Sequence, residues 1–401
     1  MVTGAPVNIL DFGADPTGVA SSSAAIQSAV DTGKAVYIPE GTYKITATIN
    51  VPLYAMITGA GQTVSILDGS TLADADAIFF LTGGDQHATI DQLQFKGQAS
   101  GSKSIGIKVS NGYSVSYTNN WFVNLSYGLL LDEAGSCIVQ NNTFKNCLFG
   151  AKCMGGSGYT FSFNNFNEAS STGIAVDVSP TTGFPTSIIV SQCLFTTAES
   201  IVVPTAPGIY GGHNFTADNC YFEGSEVICQ PFKLGTGSGT PLSVASITNC
   251  RMALTASLAS TFTNCDVFVF LGNLVGTVAT FPTSVLQLTY GSNVFVSGLV
   301  NSALRTINLD SLKNFSFLAD RIRPITDGTA LLGDDVFRFK AAFISESVIL
   351  GTGVLVTTGI NSPEGVLTAP QGSLFLRTNG GANTTLYVKE SGTGNTGWVT
   401  K

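Results

Sequence analysis

Residues Cys137-Ile-Val-Gln-Asn-Asn-Thr-Phe144-Lys-Asn-Cys147 decide the fold of this chain. They read as a β-branched strand, a polar corner and a second short strand anchored on Phe144. The phrase recurs. Upstream stands Tyr117-Thr-Asn-Asn-Trp-Phe122. Downstream stand Phe161-Ser-Phe-Asn-Asn-Phe166, Val190-Ser-Gln-Cys-Leu-Phe195, Ala217-Asp-Asn-Cys-Tyr-Phe222, Ile247-Thr-Asn-Cys-Arg-Met252 and Phe262-Thr-Asn-Cys-Asp-Val267. The closing anchors are separated by 22, 22, 29, 27, 30 and 15 residues. Such periods mark a repeat architecture in which each unit buries its apolar face only against its neighbours. One turn of a parallel β-helix fits the longer intervals, with loops absorbing the spread. The last interval is short for a full turn, so Val267 is the poorest fit.

Two residues before the anchors stand Asn120, Asn142 and Asn164, then Cys193, Cys220, Cys250 and Cys265. Equivalent residues of a parallel stack lie about 4.8 Å apart. Inward asparagines at that spacing predict an amide ladder that satisfies polar corners. Cysteines there predict small buried hydrophobes with free thiols. The change from Asn to Cys predicts an interior that dries out along the stack.

Around this core the chain has 401 residues, of which 11% are charged, against roughly 25% in ordinary globular domains. Abundant Gly, Ser and Thr complete the composition of an all-β protein. The net charge of −8 without a basic run argues against a nucleic-acid partner. The apolar stretch from Val267 to Pro282 is broken by Gly272, Asn273 and Gly276, so strands are expected there rather than a membrane span. No secretory leader is read at the N-terminus, and buried free thiols are expected of a protein made in a reducing cytosol. Residues 1–47 read as a cap: a turn cluster at Asp11 to Gly18, then a short helix from Ala24 to about Asp31, positioned to cover the open first turn. The coils are expected from 48 to 300, a connecting segment from 301 to 345, and a small terminal β module from 346 to 401.

Asn8-Ile-Leu-Asp-Phe-Gly-Ala-Asp-Pro-Thr-Gly18, Ala24-Ala-Ile-Gln27 and Val36-Tyr-Ile-Pro-Glu-Gly-Thr-Tyr43 resemble the start of the pectate-lyase-like, right-handed parallel β-helix family found in bacteriophage tailspikes. The resemblance implies that the Asp-Pro-Thr-Gly turn marks fold and not chemistry. It also implies a homotrimer in the virion tail, neighbouring tail or baseplate proteins, and binding or cleavage of bacterial surface polysaccharide (capsule, O-antigen or exopolysaccharide). No conventional particle-binding domain is expected ahead of the opening module. Arg323 to Phe339 and the segments Ser362-Pro-Glu-Gly, Ala369-Pro-Gln-Gly-Ser-Leu-Phe-Leu-Arg377 and Thr385-Leu-Tyr-Val-Lys389 resemble distal parts of phage tail fibres. That implies a trimerisation role for residues 346–401.

For chemistry, two histidines and no paired cysteine motif make a poor metal set, so neither metal nor cofactor is expected. No phosphate loop or nucleophile elbow appears. Carboxylates remain, and glycoside hydrolysis needs two, about 5 Å apart for retention or roughly 6.5–9.5 Å for inversion. Glu199 and Glu226 each lie four residues past an anchor on consecutive coils, which predicts neighbouring backbones and one raised pKa. Glu223 directly follows its anchor and is expected to point outward, as is Tyr221; Arg251 takes the position of Tyr221 one coil later, and Asp218 lies on the preceding strand. These acids, with Tyr221, Arg251 and Trp121 as saccharide contacts, form the candidate site of an endo-acting depolymerase. The plain alternatives are solvated acids, aromatics packed under loops, and an Arg251–Glu223 surface salt bridge worth little. Asp132, Glu133 and Asp177 read as turn markers, Glu168 as a further acid, and His213 with Tyr210 as a lyase alternative. A uronate lyase and a non-catalytic receptor-binding protein stay open beside hydrolysis.

Overall fold

Each recurring phrase folds into three short strands. In the coil of Phe144 these are Ala134–Gln140, Thr143–Lys145 and Phe149–Cys153. Each pairs in parallel with its counterpart in the next coil, giving sheet A of twelve strands, sheet B of twelve and sheet C of ten. The computed structural model describes residues 4–99, 104–167, 173–178, 187–196, 199–203, 214–224, 230–234, 242–254, 260–262, 265–275, 279–280, 287–291, 294–295, 347–350 and 353–401. They fall into two separate units, the stack up to 295 and a terminal module from 347.

The two asparagines of the phrase do different work. Asn141 makes the bend from sheet A to sheet B with φ 54°, and Gln92, Asn119, Phe163, Gln192, Asn219 and Asn249 hold the same place at φ 51° to 58°. That is the left-handed region, which asparagine tolerates better than most residues because its short amide bonds locally. Asn142 turns inward and is fully buried. Its Nδ2 donates to the Tyr117 carbonyl at 2.8 Å, and its Oδ1 accepts the Asn120 N–H at 2.9 Å. Asn164 repeats both bonds one coil on, to the Val139 carbonyl at 2.8 Å and from the Asn142 N–H at 2.9 Å.

The cysteines continue the same column. The Sγ atoms of Cys193, Cys220 and Cys250 lie 3.7, 3.6 and 3.8 Å from the carbonyls of Phe161, Val190 and Ala217, where an amide nitrogen would donate. The expected drying of the column does not continue, because it returns to asparagine. Asn273 accepts the Cys250 N–H at 2.9 Å and donates to the Ile247 carbonyl at 3.0 Å. Cys265 instead pairs with Leu242 on sheet A, and Val275, not Val267, follows Met252. The string Phe262-Thr-Asn-Cys265 spans the step from sheet C to sheet A, so its likeness to the phrase is local only.

Phe95, Phe122, Phe144, Phe166, Phe195 and Phe222 stack down the interior with centroids 4.7 to 5.1 Å apart and rings nearly parallel. Gly128 makes room for this stack, since a Cβ there would meet the Phe144 ring at 2.7 Å.

The stack starts earlier than expected. Val7–Asn8 and Val36–Ile38 already belong to sheet A, and Thr17–Ser21 and Gly41–Lys44 to sheet B. Sheet C begins at Ile49–Val51, and the helix Ser23–Val30 closes that edge. Gln27 Nε2 donates to the Asn50 carbonyl at 3.0 Å and Gln27 Oε1 accepts the Asn50 N–H at 2.8 Å, so one side chain pairs both edge groups. In the preceding turn the Asp15 carboxylate accepts from the Thr17 hydroxyl, the Thr17 N–H and the Ala20 N–H at 2.6 to 2.9 Å. The Thr17 hydroxyl first, then the Ala20 N–H, hold it down at about 2.

The terminal module is a five-stranded sheet of Ser347–Leu350, Val354–Gly359, Leu374–Arg377, Leu386–Lys389 and Trp398–Thr400. Phe375, Tyr387, Trp398 and Ala369 form its core. The Glu364 carboxylate accepts the Gly397 and Trp398 N–H groups at 3.1 and 2.7 Å. The region 301–345 lies outside the described residues.

Candidate functional site

The residue before each anchor faces out from sheet B, because side chains alternate along a strand. In register these are Gln94, Trp121, Thr143, Asn165, Leu194, Tyr221 and Arg251, one per coil. Trp121 and Tyr221 therefore share one straight column, four coil steps or about 19 Å apart. Arg251 lies over the Tyr221 ring, its Cζ 5.2 Å from the centroid. That cation–π contact fixes the guanidinium on the outer face. Trp121 Nε1 and Asn165 Oδ1, two steps apart, are both buried without a hydrogen-bond partner. An unpartnered donor and acceptor on an outward face are costly. Glu223, on the far side of the Phe222 anchor, is exposed.

The expected carboxylate pair is corrected by the register. Glu199 pairs with Ile174 on one side and Gln230 on the other, so its neighbour in the next coil is Gln230 and not Glu226. Four residues separate Phe195 from Glu199, whereas eight separate Phe222 from Gln230, so the corner has different lengths in the two coils. Glu226, Glu168, Tyr210 and His213 lie outside the described residues.

Asp218 ends its sheet A strand and accepts from the Thr248 hydroxyl at 2.6 Å and the Asn249 amide at 3.1 Å. Asp91 makes the same pair of bonds with Thr118 and Asn119, at 2.7 and 2.8 Å. In both cases the carboxylate ties the bend of the following coil.

A second outward group, on sheet C, was not singled out from the sequence. Tyr127 and Phe149 stack at 4.9 Å, and Lys152 Nζ lies 4.9 Å from the Phe149 centroid. Lys152 also pairs with Asp177 at 3.0 Å, with the Asp177 side chain 5% exposed. Asp177 is thus half of a buried ion pair rather than a turn marker. The sequence signal was available: Tyr127 and Phe149 each lie five residues past their anchors. Among the described residues, no group of three or more His, Cys, Asp or Glu side chains could hold a metal ion.

Comparison with known proteins bears on the fold. Residues 6–85 match the family described as rhamnogalacturonase A/epimerase, pectate lyase-like, and residues 76–267 match the right-handed β-helix region. No curated protein matches the chain. Similar solved structures include the tailspike protein of Acinetobacter baumannii phage AM24, 18% identical over 73% of this chain and 54% of that one, TM-score 0.49. The Acinetobacter phage vB_ApiP_P1 tailspike is 14% identical over 80% of this chain and 65% of that one, TM-score 0.42. The Streptococcus pneumoniae surface adhesin PfbA is 11% identical over 73% and 98%, TM-score 0.45. The chain thus spans about half the length of the AM24 tailspike. With its three parallel sheets and its stacked interior the chain folds as a right-handed parallel β-helix, similar to the pectate-lyase-like family over residues 6–85 and to the β-helix region over residues 76–267.

Proposed function

We propose that this protein is a phage tail component that binds a bacterial surface polysaccharide and cleaves it by hydrolysis. The observation that carries the reading is the outward column of sheet B, in which Trp121, Tyr221 and Arg251 line up beside exposed Glu223. Aromatic rings offer faces to sugar rings, and the guanidinium offers paired donors to acidic substituents. Glu223 is the leading acid, with its partner drawn from Glu226 and Glu199. Asp218 is the weakest of the four, since two donors already occupy it.

Purified capsular and O-antigen polysaccharides, incubated with the protein, separate the possible reactions. Hydrolysis yields new reducing ends without ultraviolet absorbance. Arg251 also favours a second reading, a lyase, because a cation beside the substrate would neutralise a uronate carboxylate; its product absorbs in the ultraviolet. A binder without turnover leaves chain length unchanged. Glu223→Gln and Glu226→Gln should each lower kcat by about 10²-fold or more if they supply acid and base. Full activity in both variants removes this site from the reading.

The same reading makes the assembly a homotrimer, with residues 346–401 as its trimerising module. Val348, Val356, Leu374, Val388 and Val399 form one row across all five strands of that module, on the face opposite the Phe375 core. Leu376 and Val399 on that face are 44% and 38% exposed.

A further inference from the structure

Among the described residues, five buried side-chain polar atoms lack a hydrogen-bond partner: Gln62 Oε1, Gln86 Oε1, Tyr117 Oη, Trp121 Nε1 and Asn165 Oδ1. Tyr117 is an interior residue of sheet A. Trp121 and Asn165 share one outward column of sheet B, with Thr143 alone between them. The indole nitrogen can only donate, and the amide oxygen can only accept. Their backbones lie two coil steps, about 10 Å, apart. Neither atom is open to water in the free protein, so each carries the cost of an unpaired polar group. Thr143 has a short side chain that turns about one bond, and Val123 stands beside Trp121 on the same face.

We propose that the gap over Thr143 holds the acetamido group of an N-acetylated amino sugar. That group is a secondary amide, whose carbonyl and N–H point in opposite directions. Its carbonyl accepts the Trp121 indole N–H, and its N–H donates to Asn165 Oδ1. Two hydrogen bonds and the breadth of one amide span about 8 Å. This fits between two backbones about 10 Å apart. The other common groups of a polysaccharide satisfy one atom at most. A hydroxyl is too short to reach both. A carboxylate accepts from Trp121 but has no proton for Asn165 Oδ1. The acetyl methyl lies against Thr143 and Val123. A site built around such a donor and acceptor discriminates strongly, because a ligand without the amide leaves both atoms unpaired. This inference rests on the reading of sheet B as the saccharide face, and it narrows the substrate to a polymer with an acetamido sugar in its repeat.

The test uses the full chain with the chitin hexamer and the cellulose hexamer, which share one linkage and differ only in carrying acetamido or hydroxyl at the second carbon. Calorimetry should give the chitin hexamer at least about 10-fold the affinity of the cellulose hexamer. Trp121→Phe keeps a ring and removes the donor, and Asn165→Leu removes the acceptor. Each should bring the two affinities to within about 2-fold of one another. In the free protein Asn165→Leu should raise the urea midpoint, because it removes an unpaired buried acceptor. Tyr221→Ala should weaken both hexamers by the same factor, since Tyr221 belongs to the shared face. Equal affinity of the native protein for the two hexamers overturns the acetamido site and leaves sheet B as a saccharide face. So does binding of a capsular polysaccharide but of neither hexamer, or a lowered urea midpoint in Asn165→Leu, which would mean that Oδ1 was paired. Failure of the native protein to bind either hexamer or any capsular or O-antigen polysaccharide removes the sheet B reading and this inference together.

Discussion

At the scale of single residues, the stack depends on what one side chain does at one corner. Phe163 occupies a left-handed bend at φ 55° where six other coils place Asn or Gln and one places Gly272, and its side chain is exposed. A left-handed conformation costs a non-glycine residue about 1–2 kcal/mol. Phe163→Asn should therefore stabilise the protein by about 1 kcal/mol, read from the urea midpoint at unchanged m-value. Asn142 sets the opposite case. Asn142→Ala leaves the Asn120 N–H and the Tyr117 carbonyl unpaired in the interior, at about 1–3 kcal/mol each. Asn142→Cys should cost about half as much in the same melts, because Cys193, Cys220 and Cys250 already make the equivalent carbonyl contacts.

At the scale of elements, the terminal sheet and the solenoid strands solve burial differently. Solenoid strands of three residues hide one anchor each and rely on the coils above and below. The terminal sheet hides Phe375, Tyr387 and Trp398 on one face and leaves the row from Val348 to Val399 on the other. A module of this size with so small a core gains little stability alone. Leu376→Lys with Val399→Lys should weaken self-association by about 10-fold or more in sedimentation. Trp398 fluorescence should stay native-like, since its indole donates to the Leu367 carbonyl on the covered face.

At the scale of the whole molecule, the described coils share one buried core that also holds the thiols. Cys137, Cys147, Cys153, Cys193, Cys220 and Cys250 are all buried, and none is in a disulfide. Burial pushes Cys137 and Cys193 up to about 12, so the reactive thiolate is scarce at neutral pH. No more than two of the eight cysteines, Cys229 and Cys265, should react with a thiol reagent in the native protein, and all eight after unfolding in guanidinium. Reaction of any of the six before global unfolding would mean that coils open singly.

The sequence by itself determined the repeat, the parallel stack and the outward partnership of Tyr221 with Arg251. These depend on contacts tied to a single bend: an asparagine that tolerates the left-handed region, an inward amide or thiol next to it, and an anchor two residues on. In three-residue strands that bend sets the register of every neighbour. Only the tertiary structure decided which residues meet beyond the second corner. The distance from anchor to sheet C is four residues at Glu199 and eight at Gln230, and composition does not say which corner takes up extra chain. The same holds for Asn273, which joins the ladder without the full phrase, and for the ion pair of Lys152 with Asp177. Both arise from residues tens of positions apart brought into line by stacking, a relation that local pattern does not encode.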